Sequence, residues 1–247
     1  MGVLQEFWLG FRTLFTAFTR LTRLRRVYPY ALVPALVFVA LEAVFALLST
    51  RVLSPWVRAE LAGQAAWQNV GATAVAWLSV AIGCIFGWFL AALLTPPLSA
   101  PALERIVALV EADLGMAPRR SLGLVHEFLC GLRASALGLA LFVPPVFLLT
   151  VLELIAPPVA VVTTPVKLAL GALGVSWSLL DYPLTLRGTR ARARLAFVRD
   201  NAASVLGFGC AFALCFWLPC CGILLLPVGV AGATELLAHL RIASSRE

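Results

Sequence analysis

The apolar stretch 205–237 is broken at its centre by Pro219, Cys220, Cys221 and Gly222. A helix needs about 20 residues to cross hydrocarbon. Neither half, 205–218 or 223–237, reaches that length. The economical reading is a hairpin that enters a bilayer, turns near Pro219 and Gly222, and leaves on its own side. Non-helical backbone at that depth must be sheltered by protein or line a wet cavity. A turn there points to a path for something polar.

The rest of the chain agrees with a membrane setting. Hydrophobic residues make up 62% and charged residues 13%, against about 45–50% and about 25% in soluble domains. The expected class is an all-α integral membrane protein forming one domain over 1–247, with no room for a separate soluble part. The net charge of +7 comes from 19 basic side chains, all arginine except Lys167. They cluster outside the apolar runs, as a topology signal does. A nucleic-acid partner would instead call for a basic face on a globular domain. Basic patches of this kind also suit anionic lipid.

Residues 1–26 read as an amphipathic helix lying at the membrane interface. Leu4, Phe7, Phe11, Leu14, Phe18 and Leu21 stand opposite Arg12, Thr13, Thr16 and Arg20. Two long transmembrane helices are expected at 27–48 and 70–94, joined by a polar connector over 49–69. Thr95, Pro96 and Pro97 are read as a stop, followed by an amphipathic helix over 99–114. There Leu103, Ile106, Val107 and Val110 oppose Glu104, Arg105, Glu111 and Asp113. The 137–180 region reads as a first hairpin punctuated by Pro144, Pro145, Pro157, Pro158 and Pro165, with Pro144 as a turn. Its arms are near spanning length, so a full pair and a shallow hairpin both remain open. The 205–237 stretch is the second, re-entrant hairpin. Arginines concentrate before residue 27, in 95–136 and in 184–203, which places both termini in the cytoplasm. No cleavable signal peptide is evident.

Chemistry-bearing residues are few. Arg25 and Arg26 precede the first long helix. Two planar, permanently charged forks beside free backbone N–H groups suit an oxyanion, and equally a cytoplasmic anchor. Glu42 is the deepest acid. Charge at the bilayer centre costs roughly 2.5–3.5 kcal/mol on insertion scales, so such a group faces a partner or water. Asp181 ends an apolar helix at the inner surface and is expected to pair with a nearby base such as Arg199. Arg199 and Asn201 are read as caps or counter-charges ahead of the second hairpin. The six cysteines read as small apolar side chains, and neither His126 nor His239 has a supporting motif. No metal, cofactor, nucleotide loop or nucleophile–base pair is indicated, so an enzyme is not expected.

The order of these features resembles a known family. Asp181-Tyr182-Pro183 is followed by Phe197, Arg199 and Asn201, then Gly207-Phe208-Gly209. Pro219 and Pro227 flank a leucine run, and Gly232-Ala233-Thr234 closes the set. Gly10-Phe11-Arg12, Leu24-Arg25-Arg26, Pro34, Pro97-Leu98 and Glu104 agree more loosely. This pattern is similar to the etoposide-induced-protein domain family, whose bacterial members include the CysZ sulfate permeases. The resemblance implies hemi-penetrating hairpins, a homo-oligomer in the bacterial inner membrane, and passive uptake of sulfate or a related oxyanion. A non-transporting membrane scaffold of the same fold is the alternative it leaves. Two departures stand out. Arg23 replaces the glycine of the family's Gly-Leu-Arg motif, and the first hairpin looks long.

Overall fold

The computed structural model describes residues 2–61, 66–116, 124–189, 191–216 and 221–244, and these are all-helical. In lipid every backbone polar group must be satisfied within its own segment, which helices do. Four described stretches are long and apolar enough to cross a membrane: Arg25–Leu61, Asn69–Leu98, Ala136–Ile155 and Pro157–Leu186. The contacts divide the chain into two units, 33–99 and the remainder.

The 33–99 unit is an antiparallel helix pair. Helix α2 (Tyr28–Leu48) runs through a π turn (Ser49–Leu53) into α3 (Ser54–Leu61), and α4 (Ala66–Leu98) returns alongside. A Cβ added at Gly87 would strike the Phe45 side chain, and one at Gly83 the Ser49 side chain. Phe38 meets Trp88 edge-on at 6.5 Å between ring centres. Glycines thus let two apolar helices approach closely where lipid gives no hydrophobic drive to associate. The expected polar connector over 49–69 is helical as far as Leu61. The Thr50 hydroxyl is satisfied on the Ala46 carbonyl at 2.8 Å. The widened π turn falls where Pro55 lacks an N–H to donate. Pro96 and Pro97 likewise fail to stop α4, which ends at Leu98. Their missing donors fall within its last turn, where Thr95 bonds the Ala91 carbonyl at 2.7 Å and Ser99 bonds that of Thr95.

The other unit holds α1 (Val3–Arg23), α5 (Ala100–Asp113), α6 (Leu124–Ile155), α7 (Ala160–Leu186), α8 (Ala191–Asp200), α9 (Ala202–Phe216) and α10 (Cys221–Ser244). Helix α9 lies between α1 and α7. A Cβ on Gly10 would overlap the Ser204 carbonyl, one on Gly207 the Phe7 carbonyl, and one on Gly209 the Ala172 carbonyl. These are backbone-to-backbone crossings on two sides of a single helix. The Ser176 hydroxyl adds a hydrogen bond to the Val205 carbonyl at 2.7 Å. Helix α5 slots Leu103, Ile106, Val107 and Val110 into the same core, all fully buried.

Helix α1 is amphipathic, but the stripe it buries is not its bulky one. Gly10, Thr13, Leu14, Ala17 and Leu21 face α9 and α10, while Trp8, Phe15 and Phe18 point away. Small residues allow the close approach, and the threonines carry their own acceptors: Thr13 bonds the Leu9 carbonyl at 2.7 Å.

The stretches expected as hairpins each form an antiparallel helix pair, and in the first the turn lies elsewhere than expected. Helices α6 and α7 pair antiparallel through Gly138 against Trp177 and Gly174 against Phe142. Their turn is at Pro157–Val159, and Pro144 and Pro145 sit inside α6. Neighbouring groups re-satisfy the carbonyls such prolines free, so a transmembrane helix tolerates them. In the second hairpin Phe208 meets Gly232 and Phe212 meets Gly229, which makes α9 and α10 antiparallel. Gly222 lies in the first turn of α10 and is not a turn residue. Pro219 lies outside the described residues. The arms are unequal: α9 has 15 residues and α10 has 24. By rise per residue α9 is about 22 Å long, short of the roughly 30 Å hydrocarbon core.

The crossings yield a direct test. Gly207→Val should drive a side chain into the Phe7 carbonyl and cost at least about 3 kcal/mol, read as a fall in thermal unfolding temperature in detergent. Gly171→Ala, whose added methyl meets nothing within 4 Å, should be neutral or stabilising.

Candidate functional site

The segment joining α1 to α2 is held from several directions. The Leu24 N–H bonds the Arg20 and Leu21 carbonyls, and a 3₁₀ turn follows over Arg25–Val27. The Val27 N–H bonds the Leu24 carbonyl at 2.9 Å, and the Tyr28 hydroxyl donates to the Thr22 carbonyl at 2.7 Å. Val27 is fully buried beneath this turn, whereas Arg25 and Arg26 are exposed. Neither arginine has a carboxylate partner among the described residues. The turn therefore displays two adjacent guanidinium groups on a braced backbone.

The surrounding charges are already matched. Arg20, one turn earlier, bonds Asp113 at 2.5 Å and Glu235 at 3.2 Å, joining α1, α5 and α10. Glu235 is 3% exposed and also accepts the Thr16 hydroxyl at 2.9 Å. Burial works against the Arg20 charge. The hydrogen bonds and charges of Asp113 and Glu235 outweigh it and hold the guanidinium above its ordinary value. Arg187, at the C-terminal end of α7, bonds Glu111 of α5 at 2.8 Å. Burial pulls Arg187 below the usual arginine range, and its Nε is enclosed without an acceptor.

Asp181 is buried near the end of α7 and pairs with Arg194 of α8, with Thr185 donating to it at 3.2 Å. Arg194 also bonds the Thr189 carbonyl at 2.9 Å, which closes the turn at Gly188 (φ 63°). Asp181 was expected to meet Arg199. Five helical residues separate Arg194 from Arg199, which turns Arg199 to another face. Arg199 is exposed and reaches only Asp200, at 3.4 Å. Asn201 bonds the Phe197 carbonyl through its amide at 2.9 Å and terminates α8.

Glu42 belongs to the 33–99 unit. It shares the face of α2 that carries Phe38, Phe45 and Ser49 toward α4, and its Oε2 is buried with no hydrogen-bond partner. Of the residues singled out from the sequence, then, Arg25 and Arg26 stand together. Asp181 joins a pair with a different base. Glu42, Arg199 and Asn201 do not converge on them. Glu235, an acid the sequence places near an interface, pairs with Arg20, while Arg20, Glu111, Arg187 and Arg194 carry no such signal of a site role. A signal of burial existed for Glu111, which follows Val107 by four residues and so falls on the apolar stripe of α5.

A protein-family model described as sulfate transporter CysZ/etoposide-induced protein 2.4 matches residues 13–227. No curated protein matches the chain.

The two arginines of α8 separate by mutation. Arg194→Ala should leave Asp181 buried without a counter-charge and cost about 3 kcal/mol. Arg199→Ala should stay within about 0.5 kcal/mol of the parent. Thermal unfolding in detergent measures both.

Proposed function

The chain belongs to the sulfate transporter CysZ/etoposide-induced protein 2.4 family, and from that premise we propose that it is a passive permease for sulfate or a related oxyanion. It works in the bacterial inner membrane as a homo-oligomer, with both termini cytoplasmic. The observation that carries this reading is the placing of two adjacent arginines on one braced turn. Arg20, Arg187, Arg194 and Lys167 are each engaged by a carboxylate. Arg25 and Arg26 are exposed on a braced turn with no such partner. A dianion leaving water needs fixed positive charge and several donors at once, which adjacent guanidinium forks supply. Transport follows the solute gradient or the membrane potential, since no nucleotide-binding loop occurs in the sequence.

Sulfate uptake into proteoliposomes tests the proposal. Flux above empty vesicles is expected, and Arg25→Ala with Arg26→Ala should raise the half-saturating concentration at least tenfold. Each charge-assisted hydrogen bond is worth about 1.5–3 kcal/mol, and about 1.4 kcal/mol is a factor of ten. Absence of flux with sulfate, sulfite and thiosulfate would sink the permease reading. Unchanged half-saturation in the double variant would remove the two arginines from the site.

A further inference from the structure

Lys167 is the only lysine in the chain, and it lies at the end of the α6–α7 hairpin remote from the arginines. Along α7 it stands 20 residues from Arg187, or about 30 Å by helical rise. That is about the thickness of the hydrocarbon core. The turn beyond it is apolar and exposed: Leu154, Ile155, Val161 and Val162 all face outward. Beneath that cap sits a compact polar cluster. The Lys167 ammonium bonds Oε2 of Glu153. The Thr163 hydroxyl, which also reaches the Val159 carbonyl, donates to Oε1. The Thr164 hydroxyl lies 3.4 Å from the same oxygen. Thr163 is 4% exposed, Glu153 and Lys167 are half-buried and Thr164 is exposed, so the cluster is anchored on one side and open to solute on the other.

Three donors, one of them cationic, thus converge on the two oxygens of a carboxylate. A tetrahedral oxyanion presents the same pair of acceptors and binds such donors through the same charge-assisted hydrogen bonds. We propose that Lys167, Thr163 and Thr164 form a second oxyanion station, filled at rest by the tethered carboxylate of Glu153, which an incoming oxyanion displaces. The proposal rests on the permease reading: a permeating anion needs favourable charge at both ends of its path, and the remote end of this hairpin has no other cation. Glu153 lies two residues before the end of α6, where a helix end frays more easily than its middle. Because it is tethered, it competes at high effective concentration. A neutral side chain at 153 therefore gives the station to free anion.

The experiment is equilibrium binding of radiolabelled sulfate to detergent-purified protein carrying Arg25→Ala and Arg26→Ala, which silences the first station. Adding Glu153→Gln should tighten sulfate binding about tenfold, and Lys167→Met on top should abolish the gain. Sulfate should also protect the Lys167 amine of the Glu153→Gln protein from an amine-specific reagent, read on its peptide by mass spectrometry. A pair that merely staples the hairpin predicts the opposite: lower unfolding temperature, no gain in binding and no protection. That result overturns the proposal. If the glutamine variant does not stay monodisperse, Thr163→Val keeps the ion pair and carries the test. Half-saturation for sulfate flux should rise about threefold, and an unchanged value overturns the station. Lys167-dependent binding without vesicle flux would sink the permease reading and keep the station. Flux without such binding would do the reverse.

Discussion

Helix α9 is in backbone contact with α1 on one side and with α7 on the other, at Gly207 and Gly209. Its 15 described residues are fewer than a hydrocarbon crossing takes, and its first half is clamped by these crossings. Small residues bring α1 and α7 close enough that Ser176 reaches a carbonyl of α9. Gly229 and Gly232 seat α10 against the Phe212 and Phe208 rings. The position of α10 in turn fixes where Glu235 meets Arg20. Packing by small residues is thus the step from which the polar connections follow.

Those connections obey one rule. Each described acid that is nearly enclosed in the larger unit has a base from another element: Glu235 with Arg20, Glu111 with Arg187, Asp181 with Arg194. An ion taken out of water costs several kcal/mol unless it is paired and hydrogen-bonded. The pairs therefore act less as net stabilisers than as constraints, since a displaced helix would strand a charge. They tie α1, α5, α7, α8 and α10 together.

The antiparallel pairing of α9 with α10 was legible in the sequence as two apolar runs around a proline and a glycine, whereas the 24-residue length of α10 was not. What else stayed illegible depends on helical phase. Arg194 and Arg199 look equivalent as letters near Asp181, and only the start of α8 decides which one faces it. Of the apolar face expected for α1, Leu14 and Leu21 are buried, but Thr13, expected opposite it, is buried too, because between helices in lipid small size matters as much as apolarity. Prolines misled for a related reason. Pro96, Pro97, Pro144 and Pro145 are helix breakers in water, but a membrane span keeps its helix because the alternative exposes backbone to hydrocarbon.

Glu42 is the exception to the pairing rule, and it constrains any anion path. Its Oε2 is enclosed on the face of α2 that meets α4, with no donor within hydrogen-bond reach. A carboxylate there repels a dianion wherever it is ionised and supplies no cation to offset the desolvation of sulfate. Gly83 and Gly87 let α4 approach closely along this face, against the side chains of Ser49 and Phe45. The α2–α4 face is therefore unfavourable ground for an anion. The larger unit offers different chemistry: the enclosed Nε of Arg187, the buried indole N–H of Trp177 and the Ser204 hydroxyl have no hydrogen-bond partner among the described residues. Unsatisfied donors of this kind are costly to a fold, and all three fall in the unit that also holds the enclosed ion pairs.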